Sequence, residues 1–320
     1  MRKSLVVLAI ACTWGLMMAT QAQAGELTLM FGRGVINATD AKCSTLPGSV
    51  SLFTIADDLK ARGLVATMPE SPSQLGDGTT HVCTSGNLYA NWDDLANLRD
   101  NYGWTAVPRG LTNDSLKAAT DPLFLDSNVC GALQPFYAHG HMRAWGMYAW
   151  PQNRWTLDQE ATYVPKCYAY GRKYTNAGRS FATPIKAPYY WAPVASVNGG
   201  KCANAALACH TFASKGGFDY TLPSTLITGV TAAAGPNRWS LIQWYKLVTG
   251  SYGKMGDRFA WDCTSPDAAD HWASMGELYC YVDYEAVIAA IQPGTIVTDP
   301  ASVAELTDAP RAALLTPPVP

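Results

Sequence analysis

The stretch "LTLMFGRG", Leu27–Gly34, decides how the fold of this chain is predicted. Leu27 to Phe31 form a short, mainly apolar run that Gly32 and Gly34 follow, a pattern typical of a buried parallel strand ending in a tight turn. Catalytic groups of α/β enzymes lie at such carboxyl ends of parallel strands. Here the turn holds a glycine and Arg33, so the stretch is either an active site or the remains of one.

Segments that alternate between helix and strand follow this first strand. After it, apolar residues from Leu52 to Leu59 fall on one helical face, Gly63 stands where a helix ends, and a strand is predicted over 64–68. Alternating helices and short buried strands predict parallel β/α units. Further strands are predicted over 104–107, 144–149, 239–245 and 295–297, and further helices before Gly103, from Cys130 to Tyr137, and from a cap at Asp283.

The first 24 residues predict a secretory signal peptide. Arg2 and Lys3 precede an apolar run from Leu5 to Met18, and Ala22-Gln23-Ala24 predicts cleavage after Ala24. The apolar run is shorter than the roughly 20 residues that cross a bilayer. We therefore expect a secreted, extracytoplasmic protein that is not membrane-spanning; a lipoprotein anchor at Cys12 is the alternative.

The remaining chain is predicted to form one domain over 25–306, followed by an unpacked Pro- and Ala-rich C-terminal tail over 307–320; its length would also suit two small domains. Without the leader its formal charge is −4 and no basic run is present, which argues against nucleic acid as a partner. Charged residues make up only 15% of the chain, which has 11 Trp and 16 Tyr. These aromatic residues either offer faces to sugar rings or fill the core.

Eight cysteines follow the leader, and an even number in an exported chain predicts disulfides. Eight cysteines allow 105 pairings, and the sequence does not choose among them. A zinc site is a weaker reading because no C-x-x-C pair occurs. Our guess joins neighbours along the chain: Cys43–Cys83, Cys130–Cys167, Cys202–Cys209 and Cys263–Cys280.

The order of features resembles the polysaccharide deacetylase family, also described as chitin deacetylases or the NodB-homology family. The resemblance runs from Leu27 to Val303 and includes "IADDLKARGLVATM", "VPKCYAYGR" and "CYVDYEAVIAAIQPGTIVTDPASV". It implies an α/β fold of the TIM-barrel-like deacetylase type, a distorted, incomplete (β/α) barrel, here stapled by disulfides. It also implies removal of acetyl groups from glycans with a divalent metal ion.

The resemblance implies where the family's catalytic groups belong in this chain. The family's first strand ends Phe-Asp-Asp-Gly, with a general base and a metal ligand, whereas this chain has Phe31-Gly32-Arg33-Gly34. The two histidine ligands correspond to Arg109 and Asn113. Trp150-Pro151 keeps only the proline of the Pro-aromatic-Gly turn, and Tyr245 stands for the late histidine acid.

These replacements bear directly on metal binding. An arginine about 5 Å from a divalent ion is repelled by roughly 6 to 7 kcal/mol at an effective dielectric near 20, and arginine does not lose its proton. The resemblance therefore implies a protein without catalytic residues, metal or cofactor that binds a glycan or cell-envelope polysaccharide; the alternative is an active carbohydrate deacetylase or esterase with a rearranged site. A purely structural secreted protein is a third reading. The expected ligand-binding residues are Phe31, Arg33, Arg109, Trp150, Pro151 and Tyr245, with Trp104 and Trp244 completing an aromatic floor. The alternative for Arg33 and Arg109 is that they fill the vacated space and pair with buried acids.

Other chemistry-bearing residues have simpler interpretations. Asp57-Asp58 lies on the polar side of a predicted helix and suits a solvated face. His139-Gly140-His141 is either a metal pair or a turn at a helix end, where histidine is favourable electrostatically. No G-x-S-x-G motif, dinucleotide fingerprint or P-loop occurs in the sequence.

Overall fold

The computed structural model describes residues 25–32, 48–78, 80–84, 87–153, 155–175, 181–182, 191–196, 209–211, 219–221, 223–233, 238–244, 246–253, 260–266, 278–307 and 309–317. Its strands are β1 (Glu26–Phe31), β2 (Thr67–Glu70), β3 (Cys83–Thr84), β4 (Asn87–Leu88), β5 (Thr105–Pro108), β6 (Met147–Ala149), β7 (Tyr170–Thr175), β8 (Phe181–Ala182), β9 (Trp191–Ser196), β10 (Cys209–Thr211), β11 (Asp219–Thr221), β12 (Arg238–Trp244), β13 (Lys246–Val248), β14 (Ser251–Gly253), β15 (Ala260–Asp262), β16 (Leu278–Cys280) and β17 (Ile296–Val297). Its helices are α1 (Leu52–Ala61), α2 (Trp92–Tyr102), α3 (Pro122–Val129), α4 (Leu133–Ala138), α5 (Leu157–Cys167), α6 (Pro223–Ala233), α7 (Tyr281–Ala289), α8 (Pro300–Thr307) and α9 (Ala309–Leu315).

The fold is mixed α/β with a mainly parallel sheet. Among the described residues, seven parallel strands run in the order β5-β2-β1-β12-β9-β7-β6, with β17 also parallel to β1 and β8 antiparallel to β12. The two end strands, β5 and β6, also contact each other. If the contact between β5 and β6 is counted as a neighbour relation, the strands lie side by side in chain order: β1, β2, β5, β6, β7, β9 and β12. The carboxyl ends of these strands therefore share one edge of the sheet.

Local sequence signals explain the first two helices. The Ser51 side chain accepts a hydrogen bond from the Phe53 backbone N–H at the start of α1. At the start of α2, Asn91 and Asp94 form a capping box, and α2 ends at Gly103 with a φ of 69°. Both helices and the strand β1 confirm the predictions made from the sequence.

One face of the sheet packs against the helices. Because side chains alternate along a strand, Leu27, Leu29 and Phe31 of β1 lie on the same face as Ile242 and Trp244 of β12. Phe31 and Trp244 both make edge contacts with Tyr284 of α7. We call this the helix-facing face.

The opposite face carries Glu26, Thr28 and Met30 of β1 and Trp239, Leu241 and Gln243 of β12. On this face the Trp239 Nε1 donates to Thr28 Oγ1 at 3.0 Å. The Trp239 ring lies 4.8 Å from that of Tyr170 on β7, two strands away. We call it the inner face.

Several predicted elements differ from the structure. The helix expected from Cys130 to Tyr137 is interrupted, since α3 ends at Val129 and α4 begins at Leu133. Cys280, rather than Asp283, is the N-cap of α7, and Asp283 lies in the first turn, where a negative charge is favourable.

The tail was expected to be unpacked, but it forms α9, in which Ala312 is buried. Alanine and leucine are strong helix formers, which explains helix here in spite of the flanking prolines.

Two disulfides join described cysteines, Cys130–Cys167 and Cys263–Cys280, with Cα atoms 5.6 and 5.4 Å apart. Both are pairs that the neighbour guess had joined. Cys83 is also disulfide-bonded, while Cys43 and Cys202 of the other two guessed pairs lie outside the described residues. In the part of the chain that the structure describes, no helix has the length and apolar character to cross a membrane.

Candidate binding site

The carboxyl edge of the parallel sheet holds most of the residues that the sequence singled out. β1 ends at Phe31, and the Gly32 backbone N–H donates to the Trp244 carbonyl at 2.8 Å, so the ends of β1 and β12 are level. Arg33 and Tyr245, both expected at this edge, lie outside the described residues.

Arg109 follows β5 directly and is buried. Its backbone N–H donates to the Glu70 carbonyl at 2.7 Å, and its carbonyl accepts from the Ser71 hydroxyl at 2.7 Å. These bonds join the end of β5 to the end of β2. The backbone of Arg109 is therefore fixed on two strands at the edge where ligands bind in parallel sheets.

The loop after β5 is joined to the turn after β6. A Cβ added to Gly110, whose φ is 75°, would lie 2.6 Å from the Pro151 ring, so only glycine fits there. The Gln152 Nε2 donates to the Asn113 carbonyl at 3.0 Å. Gln152 has a φ of 50°, the only positive φ of a non-glycine in the described ranges, and such conformations concentrate at functional sites. Arg109, Asn113 and Pro151 thus belong to one loop cluster.

The aromatic residues expected as a floor form two separate clusters. Phe31 stacks on Trp104 and Trp244 with ring centroids 5.4 and 5.3 Å apart, on the helix-facing face. Trp150 instead stacks on Trp155 at 6.0 Å and meets Tyr148 edge-on. Phe31, Trp104, Trp150 and Trp244 are all buried by their neighbours in this structure.

Sequence reasoning missed a polar group of residues on the inner face. Thr67 of β2 and Gln243 of β12 are both 0% exposed. Within the described part of the chain, the Thr67 hydroxyl and both amide atoms of Gln243 have no hydrogen-bond partner. Leaving a buried polar group unsatisfied costs about 1–3 kcal/mol, so such groups in a native fold call for an explanation.

The sequence contains a signal for one of these residues. In "SLIQW", Ser240–Trp244, the amide of Gln243 interrupts an otherwise apolar end of β12. Arg172 of β7 is buried as well, and the strand register through β9 places it on the face that carries Gln243. No signal in the sequence marks Arg172 as buried, because its burial depends on strands from other parts of the chain.

A buried carboxyl group stands at the other end of the inner face. Glu26 is 4% exposed, and among the described residues no hydrogen bond or charged group acts on its carboxyl group. Burial raises its pKa to about 7. The group lies at the amino end of β1, away from the edge that holds Arg109.

The His139–His141 segment lies elsewhere, at the end of α4. The His139 ring stacks on Trp92 with centroids 4.1 Å apart, and Arg99 Nη1 donates to the His139 carbonyl at 2.7 Å. Burial, with Arg99 and His139 nearby, lowers the pKa of His141 to about 4, which favours the neutral ring. Over the described ranges, no three His, Cys, Asp or Glu side chains are grouped so that they could hold a metal ion.

Comparison of the chain with protein-family models and with curated protein sequences finds no match.

Proposed function

We propose that this chain is a secreted, non-catalytic glycan- or envelope-polysaccharide-binding protein with a deacetylase-like, incomplete (β/α) barrel. The observation that carries the proposal is the chemistry of the carboxyl edge of the sheet. Arg109 is fixed there by two strands, and Gln243 is buried there without a partner among the described residues. These are groups that bind polar ligands.

The strand arrangement supports the barrel part of this proposal. Seven parallel strands follow chain order if the contact between β5 and β6 closes the sheet. A barrel of β/α units produces this order, since each strand lies beside the next one along the chain. A cleft at the carboxyl ends of the strands is then the expected place for a ligand.

The residue types at this edge support binding rather than metal-dependent hydrolysis. Where the deacetylase family has its first aspartate, this chain has Gly32. Arg109, at a position of a family histidine ligand, carries a permanent positive charge that repels a divalent cation but binds carboxylate or phosphate groups. A metal ligand at this position must not carry a positive charge, whereas binding of an anionic group is favoured by one.

One experiment separates binding from catalysis. Protein beginning at Gly25 is incubated with acetylated chito-oligosaccharides and Zn²⁺, Co²⁺ or Mn²⁺, and released acetate is measured with and without a chelator. We expect no acetate above the protein-free control. Acetate release that the chelator abolishes would overturn the proposal in favour of an active deacetylase.

The binding arm uses a glycan array and purified envelope polysaccharide. We expect binding by the wild type that Arg109→Ala weakens at least tenfold. Arg62→Ala is the matched control, because Arg62 pairs with Asp58 at the exposed end of α1, away from the edge. Thermal unfolding of each variant checks that the fold is intact. A wild type that binds none of the glycans contradicts the proposal.

A further inference from the structure

One tryptophan differs from the others in the described part of the chain. Six of the tryptophans whose burial is described are buried: Trp92, Trp104, Trp145, Trp150, Trp239 and Trp244. Trp155 is only half-buried. The rings that the sequence offered as an aromatic floor are therefore closed to a ligand, whereas Trp155 keeps accessible surface.

Trp155 lies at the edge of the sheet where ligands are expected. It belongs to the loop between β6 and α5, which starts at the carboxyl end of β6. The start of α5 is joined to a second loop at this edge, because the Gln159 Nε2 donates to the Leu116 carbonyl at 2.7 Å. Leu116 is in the loop that follows Arg109 and β5. Trp155 and Arg109 are therefore on neighbouring loops of the same edge.

The Trp155 ring is held in one orientation. It stacks on Trp150 with ring centroids 6.0 Å apart and an interplanar angle of 11°. Its Nε1 donates to Oε2 of the buried Glu160 at 2.9 Å. The next residue, Thr156, is the N-cap of α5 and forms a capping box with Gln159, which fixes the backbone. A ring that is ordered in advance loses little conformational freedom when a ligand packs on it.

The contacts of Trp155 indicate the class of ligand that it takes. Nε1 is the only polar atom of the indole, and Glu160 already accepts from it, so the ring offers a ligand only carbon surface. The face of an aromatic ring is negative, and donation from Nε1 to a carboxyl oxygen polarises the ring further in that sense. Such a face attracts polarised C–H groups, which a sugar ring presents on one side.

A polar group for the hydroxyls of a sugar lies on the same loop. Gln152 is exposed, and its Nε2 donates to the Asn113 carbonyl at 3.0 Å. Among the described residues its Oε1 has no hydrogen-bond partner, so it can accept from a hydroxyl. An aromatic surface with a few placed polar groups is the usual composition of a site for a small ligand.

We propose that Trp155 is the stacking residue of a surface subsite for a neutral sugar unit, with the Gln152 Oε1 accepting from one of its hydroxyl groups. This inference rests on the proposed function and narrows it, because it names the bound unit and the ring that binds it. Recognition of a charged group of the glycan is assigned to other residues such as Arg109.

The test uses the mature protein and the variants Trp155→Leu and Gln152→Gly. Leucine keeps an apolar side chain without a ring, and glycine removes the amide while tolerating the φ of 50° at this position. Tyr102→Leu is the matched control, since Tyr102 is a half-buried aromatic residue next to the amino end of β5, at the opposite edge. Isothermal calorimetry measures binding of cellohexaose and chitohexaose, and of choline as a cationic probe for the ring.

A second measurement reports on the ring itself. The indole N–H resonance of Trp155 in the ¹⁵N-labelled protein is assigned by its loss in Trp155→Phe and followed during titration with each ligand. Thermal unfolding is recorded for every variant, so that a loss of binding is compared only between folded proteins.

We expect the wild type to bind a neutral hexasaccharide and Trp155→Leu to lose at least tenfold in affinity. Gln152→Gly should lose severalfold in affinity with little change in unfolding temperature, and Tyr102→Leu should bind as the wild type does. The Trp155 resonance should shift on addition of the bound hexasaccharide and not on addition of choline. Together these results would place a neutral sugar on the Trp155 ring.

The opposite results overturn the inference in distinguishable ways. Neutral-sugar binding that is unchanged in Trp155→Leu removes the subsite but leaves the proposed function standing. If Trp155→Leu loses binding while the wild-type Trp155 resonance does not respond to the sugar, the residue acts through the structure and the subsite is wrong. A response to choline alone replaces the sugar by a cation. A wild type that binds neither hexasaccharide, nor any glycan on the array, overturns the subsite together with the proposed function.

Discussion

The two faces of strands β1 and β12 differ in the kind of side chain that they carry, although successive residues of the same strands alternate between them. The helix-facing face is a closed aromatic stack in which Phe31 lies between Trp104 and Trp244. The inner face carries the buried Glu26 carboxyl group at the amino end of β1, and the side chains of Gln243, next to the carboxyl end of β12, and Thr67, at the start of β2, have no hydrogen-bond partner among the described residues. The difference teaches that the aromatic packing of the helix-facing face stabilises the fold. The buried polar groups of the inner face lower the free energy of unfolding when they have no partner.

The largest effect should come from the helix-facing face. Phe31→Ala removes a fully buried ring from the middle of the stack, and such truncations cost about 3–5 kcal/mol of unfolding free energy. Urea unfolding of the mature protein measures the loss. A loss below about 1 kcal/mol would contradict the difference drawn between the two faces, because the packing of Phe31 would then contribute little to the free energy of unfolding.

The second effect concerns the amino end of the inner face and depends on pH. The folded-state pKa of Glu26, about 7, lies above its ordinary value of 4.5, so the folded protein holds this proton more tightly than the unfolded chain. The free energy of unfolding therefore falls as pH rises from about 4.5 through 7, by at most about 3 kcal/mol. Its register neighbours, Trp239 and Ile296, carry no titratable group.

Glu26→Gln tests this prediction, because the amide stays neutral at every pH. The variant should match the wild type near pH 4.5 and be the more stable of the two at pH 8, as measured by thermal unfolding across that range. Groups elsewhere titrate equally in both proteins and cancel in the difference. An equal difference at both pH values would show that the Glu26 carboxyl ionises normally.

A third prediction concerns the hydroxyl that the protein satisfies. Thr28→Val removes the donor to the half-buried Thr298 carbonyl and the acceptor for Nε1 of the buried Trp239. We expect a loss of about 1–3 kcal/mol in the free energy of unfolding. Chemical denaturation measures it, and a neutral result would mean that water replaces both bonds.

The smallest effect is the sharpest test of the comparison. Thr67→Val is the same substitution on the same face, but this hydroxyl has no partner among the described residues. Its free energy of unfolding should stay within about 0.5 kcal/mol of the wild type or rise. A loss as large as that of Thr28→Val would show that Thr67 is structurally bonded, and the inner face would then be uniform.

The regular parts of the fold could be predicted because their signals are local. The apolar run of β1, the capping residues Ser51 and Asn91, and the glycine that ends α2 each act on a few neighbouring residues. β7 and β9 were missed for the opposite reason. β7 contains glycine and two basic residues, and β9 contains Pro193, so neither has the sequence of a buried strand. Their pairing with distant strands decides their structure.

The candidate site could be predicted only in part. The position of Arg109 at the end of β5 followed from the helix and glycine that precede that strand. The proximity of Thr67 and Gln243 on the inner face could not be found in this way. The two residues are 176 positions apart, and they come close only because both pair with Met30 of β1. The predicted aromatic floor is divided into two clusters, because the rings lie on different faces of the sheet and the sequence does not say which face each ring occupies.

The disulfide Cys130–Cys167 has a consequence for the contact between the two end strands of the sheet. The covalent loop that it closes, residues 130–167, contains all of β6 and the Pro151 turn that packs on Gly110. Among the described residues, β5 and β6 are joined by such loop contacts rather than by a backbone ladder. Reduction should therefore loosen this seam before the rest of the sheet, so that backbone amides of β6 gain hydrogen exchange while those of β1 and β12 keep theirs.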